Sequence, residues 1–170
     1  MNKMSSLKLR FAPLFVWWKT FANLRRLNKI PLQLPKSALE IKNVLILLPL
    51  NPEFVDAAMT MVRHLRQHFR VWHYMVLDVN RIPAEQLDSF HLPVQSFLDN
   101  LIANDFQLVI DLNFEPDLRV KYLIGLLNIT YRLSVQSQES DYYNLYVHVN
   151  REEFKGFGGV LNSLKSSFNL

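Results

Sequence analysis

The sequence has no cysteine and only four glycines in 170 residues. The first absence excludes disulfides, thiolate catalysis and cysteine-ligated zinc or iron–sulfur centres. The second is felt most after the first predicted strand, where a nucleotide-binding α/β protein needs glycines to turn its backbone tightly onto a pyrophosphate. That stretch reads Leu50-Asn-Pro-Glu-Phe-Val-Asp56. It contains no glycine, and Glu53 and Asp56 would repel an anion at the helix amino end. Long apolar runs are also missing. The longest near the start, Phe11 to Trp18, is broken by Pro13 and followed by Lys19, well short of the roughly 18 apolar residues of a spanning helix. The start lacks the small-residue cleavage pattern of a signal peptide as well. Acidic residues are nearly absent from the first 40 positions, where eight Lys/Arg accompany Glu40 alone; residues 41–170 hold eleven basic and fourteen acidic residues. The balances of +7 and −3 make up the net charge of +4, so the basicity belongs to the amino-terminal part.

That asymmetry divides the chain into a basic aromatic arm with its linker, residues 1–40, and an α/β domain, residues 41–170. Within the arm a helix is expected from about Pro13, since proline suits a first turn. Leu9, Val16, Leu24 and Leu27 would form one apolar face, with Phe11, Phe15 and Trp18 among the basic residues on the other side. Apolar surface on more than one side calls for a cover beyond the chain's own domain. Pro31 and Pro35 mark an extended connector.

Val44 to Leu50 is a continuous apolar run, as in a parallel strand covered on both faces, and Pro49 ends it. Asn51-Pro52-Glu53 is a helix opening with a cap, a first-position proline and a carboxylate at the positive end. Phe54, Ala58, Met61, Val62, Leu65 and Phe69 then recur at helical spacing. Further strands are predicted at 71–78, 105–112, 130–135 and 144–149. Helices are predicted at 95–103 and 116–127, with a last one from Arg151 bent at Gly156, Gly158 and Gly159. The alternation predicts a three-layer, Rossmann-like α/β domain with a mostly parallel sheet of about five strands.

Ligands of parallel α/β sheets sit beyond the carboxyl ends of strands. There the sequence places Asp111, Asn113, Glu115 and Asp117, oxygen-bearing side chains suited to a hard cation or a polar ligand. The same residues have ordinary structural uses, Asp111 accepting local amides, Glu115 capping ahead of Pro116 and Asp117 occupying a first turn. His64 and His68 have i,i+4 spacing but neither an intervening glutamate in the zinc-protease arrangement nor a third ligand. Ser134, Ser137 and Ser140 lie in a polar connector rather than a nucleophile elbow. Tyr131, Tyr142, Tyr143 and Tyr146, with Arg132, can form either a recognition edge or packing. No cofactor is predicted.

Two resemblances rest on the strands. Val44-Leu-Ile-Leu-Leu48, Phe106 to Leu112 and Tyr122-Leu-Ile-Gly-Leu-Leu-Asn-Ile-Thr-Tyr-Arg-Leu-Ser134 are similar to the amino-terminal half of heptosyltransferase-type glycosyltransferases. The order Asp105–Leu112, Leu118–Arg132 and Tyr143-Asn-Leu-Tyr-Val-His-Val149 with a closing helix resembles, over residues 40–168, an uncharacterised family of small α/β proteins from Bacteroidota and relatives. The first resemblance implies descent from a sugar-nucleotide-related half-domain. Asn51-Pro-Glu53 replaces the glycine-rich turn and acidic residue of those enzymes, and their second domain is not expected within these 170 residues.

The functional expectation is a non-catalytic binding or structural subunit, cytoplasmic or peripheral to the inner membrane, that docks to a larger protein assembly through its arm. Lys8, Arg10, Lys19, Arg25, Arg26 and Lys29 supply the charge; Phe11, Phe15, Trp17, Trp18 and Phe21 supply the contact area. Protein partners are expected first, an anionic membrane surface second and RNA third. The alternatives are a glycosyltransferase-related fragment or a sugar- or nucleotide-binding subunit, and an RNA-associated protein.

Overall fold

The computed structural model describes residues 3–29, 40–136, 138–147 and 158–167, with side chains for 10–29, 40–136, 138–147 and 162–166. The Lys8 side chain, the connector through Pro31 and Pro35, the end of the last predicted strand and the bend at Gly156 lie outside the described residues. An α/β domain with a parallel sheet is preceded by helix α1, Lys3–Leu27. The strands are β1 (Asn43–Leu47), β2 (His73–Leu77), β3 (Leu108–Asp111), β4 (Tyr131–Ser134) and β5 (Leu145–Tyr146). Their order is β2-β1-β3-β4-β5, and each neighbouring pair is parallel. The order reverses between β1 and β3, the arrangement of doubly wound sheets whose ligands bind at that switch.

Parallel strands need crossovers, and helices provide three of them, α2 (Val55–His68), α3 (Gln95–Ile102) and α4 (Leu118–Leu126), while β4 is joined to β5 with no described helix between them and α5 (Gly158–Ser167) follows β5. β1 and β3 alternate their side chains between two cores. Val44, Ile46, Leu108 and Ile110 meet Ala58, Met61 and Leu65 of α2, with Leu164 of α5. Leu45, Leu47 and Val109 meet Leu98 and Leu101 of α3 and Val120 and Leu123 of α4. Both faces are covered, which explains why β1 reads as unbroken apolar sequence. Each fully buried aliphatic side chain contributes roughly 1.5–3 kcal/mol, so these two layers hold the sheet.

Local chemistry sets the boundaries. Asn51 caps as expected, its side-chain oxygen accepting from the Glu53 amide at 3.0 Å, and a 3-10 turn over Pro52–Phe54 leads into α2. The helix expected from Pro116 starts two residues later, because Asp117 is extended (φ −116°, ψ 142°) and caps α4. Its carboxylate accepts from the amides of Arg119 (2.8 Å) and Val120 (3.2 Å). The helix expected from about Pro13 runs through that residue from Lys3, so Pro13 is interior and donates no backbone hydrogen bond.

Candidate functional site

At the carboxyl end of β3 the predicted acidic cluster separates into inward and outward parts. Asp111 is fully buried. One of its oxygens accepts from the backbone and side-chain amides of Asn113 at 3.1 and 2.6 Å. The other accepts from the Tyr143 hydroxyl at 2.5 Å and the Gln136 side chain at 3.3 Å. Four donors thus converge on one carboxylate, as a charge away from water requires. Burial nevertheless dominates and pushes the carboxyl up from 3.8 to about 6, with the hydrogen bonds from Tyr143 and Asn113 acting in the opposite direction. Burial, followed by the nearby Asp111 charge, pushes the Tyr143 phenol far above its ordinary range, so it remains a donor.

Asn113 also stitches the switch point. Its side-chain oxygen accepts from the Leu50 amide at 2.8 Å, and its nitrogen donates to the Leu48 carbonyl at 3.3 Å. The crevice between the ends of β1 and β3 is therefore bridged by the chain's own amide. Beyond it lies a hollow of about 340 Å³ with Asn51, Asn113, Glu115 and Asp117 on its wall. Glu115 is exposed there, and Asp117 is engaged in capping α4. A larger hollow of about 860 Å³ opens where the end of α1 meets β5, lined in part by Lys29, Lys121, Gln136, Ser140, Tyr143 and Tyr146. Among the described residues no group of three His, Asp or Glu is placed to hold a metal ion. The Nδ1 of His68 turns to the carbonyl of His64, 2.8 Å away, on the exposed side of α2.

The arm helix is seated on α4. Ala12, Val16, Thr20 and Leu24, spaced four apart, form its buried stripe. Thr20 returns its hydroxyl to the Val16 carbonyl at 2.8 Å and shares a 3.0 Å hydrogen bond with the Tyr142 hydroxyl. Opposite stands Gly125, where an added Cβ would lie 2.5 Å from Thr20 Cβ, so the helices approach only because that position is glycine. Asn23 donates to the Gly125 carbonyl at 2.9 Å. Arg26 reaches Asn128 at 3.0 Å, and Asn28 donates to the Asp141 carbonyl at 2.9 Å. Beneath the carboxyl end of α1, the buried Arg132 donates to Asn28 (2.6 Å) and to the carbonyls of Tyr142 (2.9 Å) and Ile129 (3.0 Å). Burial lowers the pKa of this guanidinium. No ion pair among the described residues involves it.

Seating α1 in this way sorts the aromatic residues of the arm. Phe15 turns partly inward and stacks on Phe90 with ring centroids 5.0 Å apart. Phe11, Trp17, Trp18 and Phe21 point outward, joined by Leu14, which is 62% exposed. Trp18 is 65% exposed. Trp17 and Phe21 lie against each other at 5.0 Å. Arg10, Lys19, Arg25, Arg26 and Lys29 are all exposed, and Lys19 holds its ammonium 5.4 Å from the Trp18 ring centre. Sequence reasoning missed Leu14, whose i,i+4 and i,i+7 relation to Trp18 and Phe21 was the available signal. It also missed Gln136 as a buried residue and set Tyr143 among edge residues; nothing local marks either as a partner of Asp111.

No protein-family model matches the chain, and no curated protein or solved structure is significantly similar to it.

Proposed function

We propose that this chain is a non-catalytic docking subunit whose α/β body is held against a larger assembly through the outward face of α1. The observation that carries this reading is the pairing of two opposite faces on one helix. The inner face is fixed to α4 by close packing at Gly125 and by the Asn23 hydrogen bond, and Asn28, just after the helix, is tied to Asp141 and to Arg132 of β4, so α1 is packed onto the body at both places. The outer face leaves five large apolar side chains in water, with Trp17 at 53% and Phe11 at 56% exposure. A contiguous apolar patch of this kind marks an interaction surface. Trp17→Ser/Trp18→Ser changes only exposed positions, so folding should survive. Gentle isolation of the full-length protein is expected to recover a larger assembly that the double variant loses. Equal, partner-free monomers from both would refute the reading.

A second reading has its own observation, the hollow at the β1/β3 switch with Asn113, Glu115 and Asp117 on its wall. A sugar- or nucleotide-binding subunit would show saturable binding in calorimetry that Glu115→Ala weakens while its circular dichroism still reports the folded α/β domain. Unchanged binding in that variant would remove this reading.

A further inference from the structure

The surface that α1 meets can be named by its chemistry. We infer that the outward face of α1 lies on an anionic lipid surface, an inference that rests on the docking reading above. The argument is one of charge and shape. Exposed positions from Arg10 to Lys29 carry five cations, five large apolar side chains and no carboxylate. α1 has no acidic residue in its first turn and carries Arg25 and Arg26 in its last. Protein interfaces also gather tryptophan, phenylalanine and arginine, but within a polar hydrogen-bonding rim and with lysine depleted, and this face carries Lys19 and Lys29. Among the described residues from Arg10 to Lys29, Asn28, just after the helix, is the single exposed neutral amide, and it is already spent on Asp141 and Arg132. Tryptophan and phenylalanine beside lysine and arginine are instead the composition of helices lying in a headgroup layer, where rings sit at the boundary and cations meet phosphates. Lys19 shows a cation and aromatic rings side by side on this face, its ammonium 5.7 and 5.4 Å from the Phe15 and Trp18 centroids.

The apolar area continues past the helix. Phe11, Leu14, Phe15, Trp17 and Trp18 join Phe90, from the segment between β2 and α3, around a shallow hollow of about 440 Å³. Acyl chains fit such a recess. No described helix is long and apolar enough to cross a membrane. The geometry is that of α1 lying flat in the boundary with the α/β body above it.

The test uses purified full-length protein and vesicles of phosphatidylcholine alone or of equal parts phosphatidylcholine and phosphatidylglycerol. Trp72 is buried and stacked on Phe69 at 4.1 Å, so a change in tryptophan emission on mixing reports Trp17 and Trp18. The expected result is a blue shift and co-sedimentation with the anionic vesicles, both lost in Trp17→Ser/Trp18→Ser. Arg10→Gln/Arg25→Gln should lower the partition coefficient about 30-fold, from roughly 1 kcal/mol per cation near an anionic surface. Equal partition into both vesicle types would overturn the charge argument. No partition, in a protein whose larger assembly is still lost in the tryptophan variant, would overturn the lipid and leave docking to a protein, or to RNA if nuclease releases it. Full vesicle binding by the tryptophan variant would overturn this inference, whereas the docking reading falls only if that variant and the wild type are recovered as equal, partner-free monomers.

Discussion

Replacing Asp111 by asparagine should change how the stability of this protein depends on pH. Burial raises the folded-state pKa of Asp111 from 3.8 to about 6. A carboxyl that holds its proton more tightly when folded stabilises the fold fully below its unfolded pKa. That contribution fades as pH rises through the folded value. The window therefore runs from about pH 4 to 6, and stability falls across it, opposite to the usual salt-bridged carboxylate. With the two pKa values above, the contribution is about 2 kcal/mol at pH 4.5 and nearly nothing at pH 7.5. Other carboxylates titrate over the same range, so the informative quantity is the difference between wild type and Asp111→Asn. Urea unfolding at the two pH values should show the wild type losing about 2 kcal/mol relative to the variant between pH 4.5 and 7.5. A difference that does not change with pH would refute burial as the dominant influence on Asp111. A wild type that gains on the variant as pH rises would show that the four donors outweigh burial.

Tyr143→Phe removes one of those donors, which acted to lower the pKa, and should move the upper end of the same window to higher pH, read in the same unfolding series. Gly125→Ala puts a Cβ against Thr20 and should cost about 1–3 kcal/mol while exposing α1 to limited proteolysis. An unaltered melting curve would mean that α1 is not seated there. Asp117→Ala leaves the amides of Arg119 and Val120 uncapped and should lower stability by about 1 kcal/mol in urea denaturation. Arg132→Lys cannot reach acceptors on three sides with one nitrogen. It should cost about 1–3 kcal/mol for each partner left unpaired, again by denaturation.

The layered sheet was legible because its cause is local. Val44–Leu48 is apolar at every position since both faces of β1 are covered, and Asn51-Pro52 states its turn chemistry outright. The place of Asp117 was less legible, since Glu115, Pro116 and Asp117 all suit a helix start and only the backbone decides which caps. At the candidate site, Asp111 and Asn113 could be read as neighbours two residues apart. Their link to Tyr143 and Gln136 spans 32 and 25 positions and has no local signature. For α1, two apolar faces were evident, but which one turned inward depended on Gly125, a hundred residues away and inconspicuous among the leucines of α4.

The seating of α1 on α4 has a consequence for biosynthesis. Asn23 and its partner Gly125 are 102 positions apart, so the helix leaves the ribosome long before its seat has been translated. At roughly 5–20 residues per second the interval is about 5–20 s. During it both the Ala12–Leu24 stripe and the Trp17/Trp18 face are uncovered on a nascent segment rich in positive charge. The outward face is thus open to a binder before the α/β body exists, and in the docking proposed above attachment would precede folding.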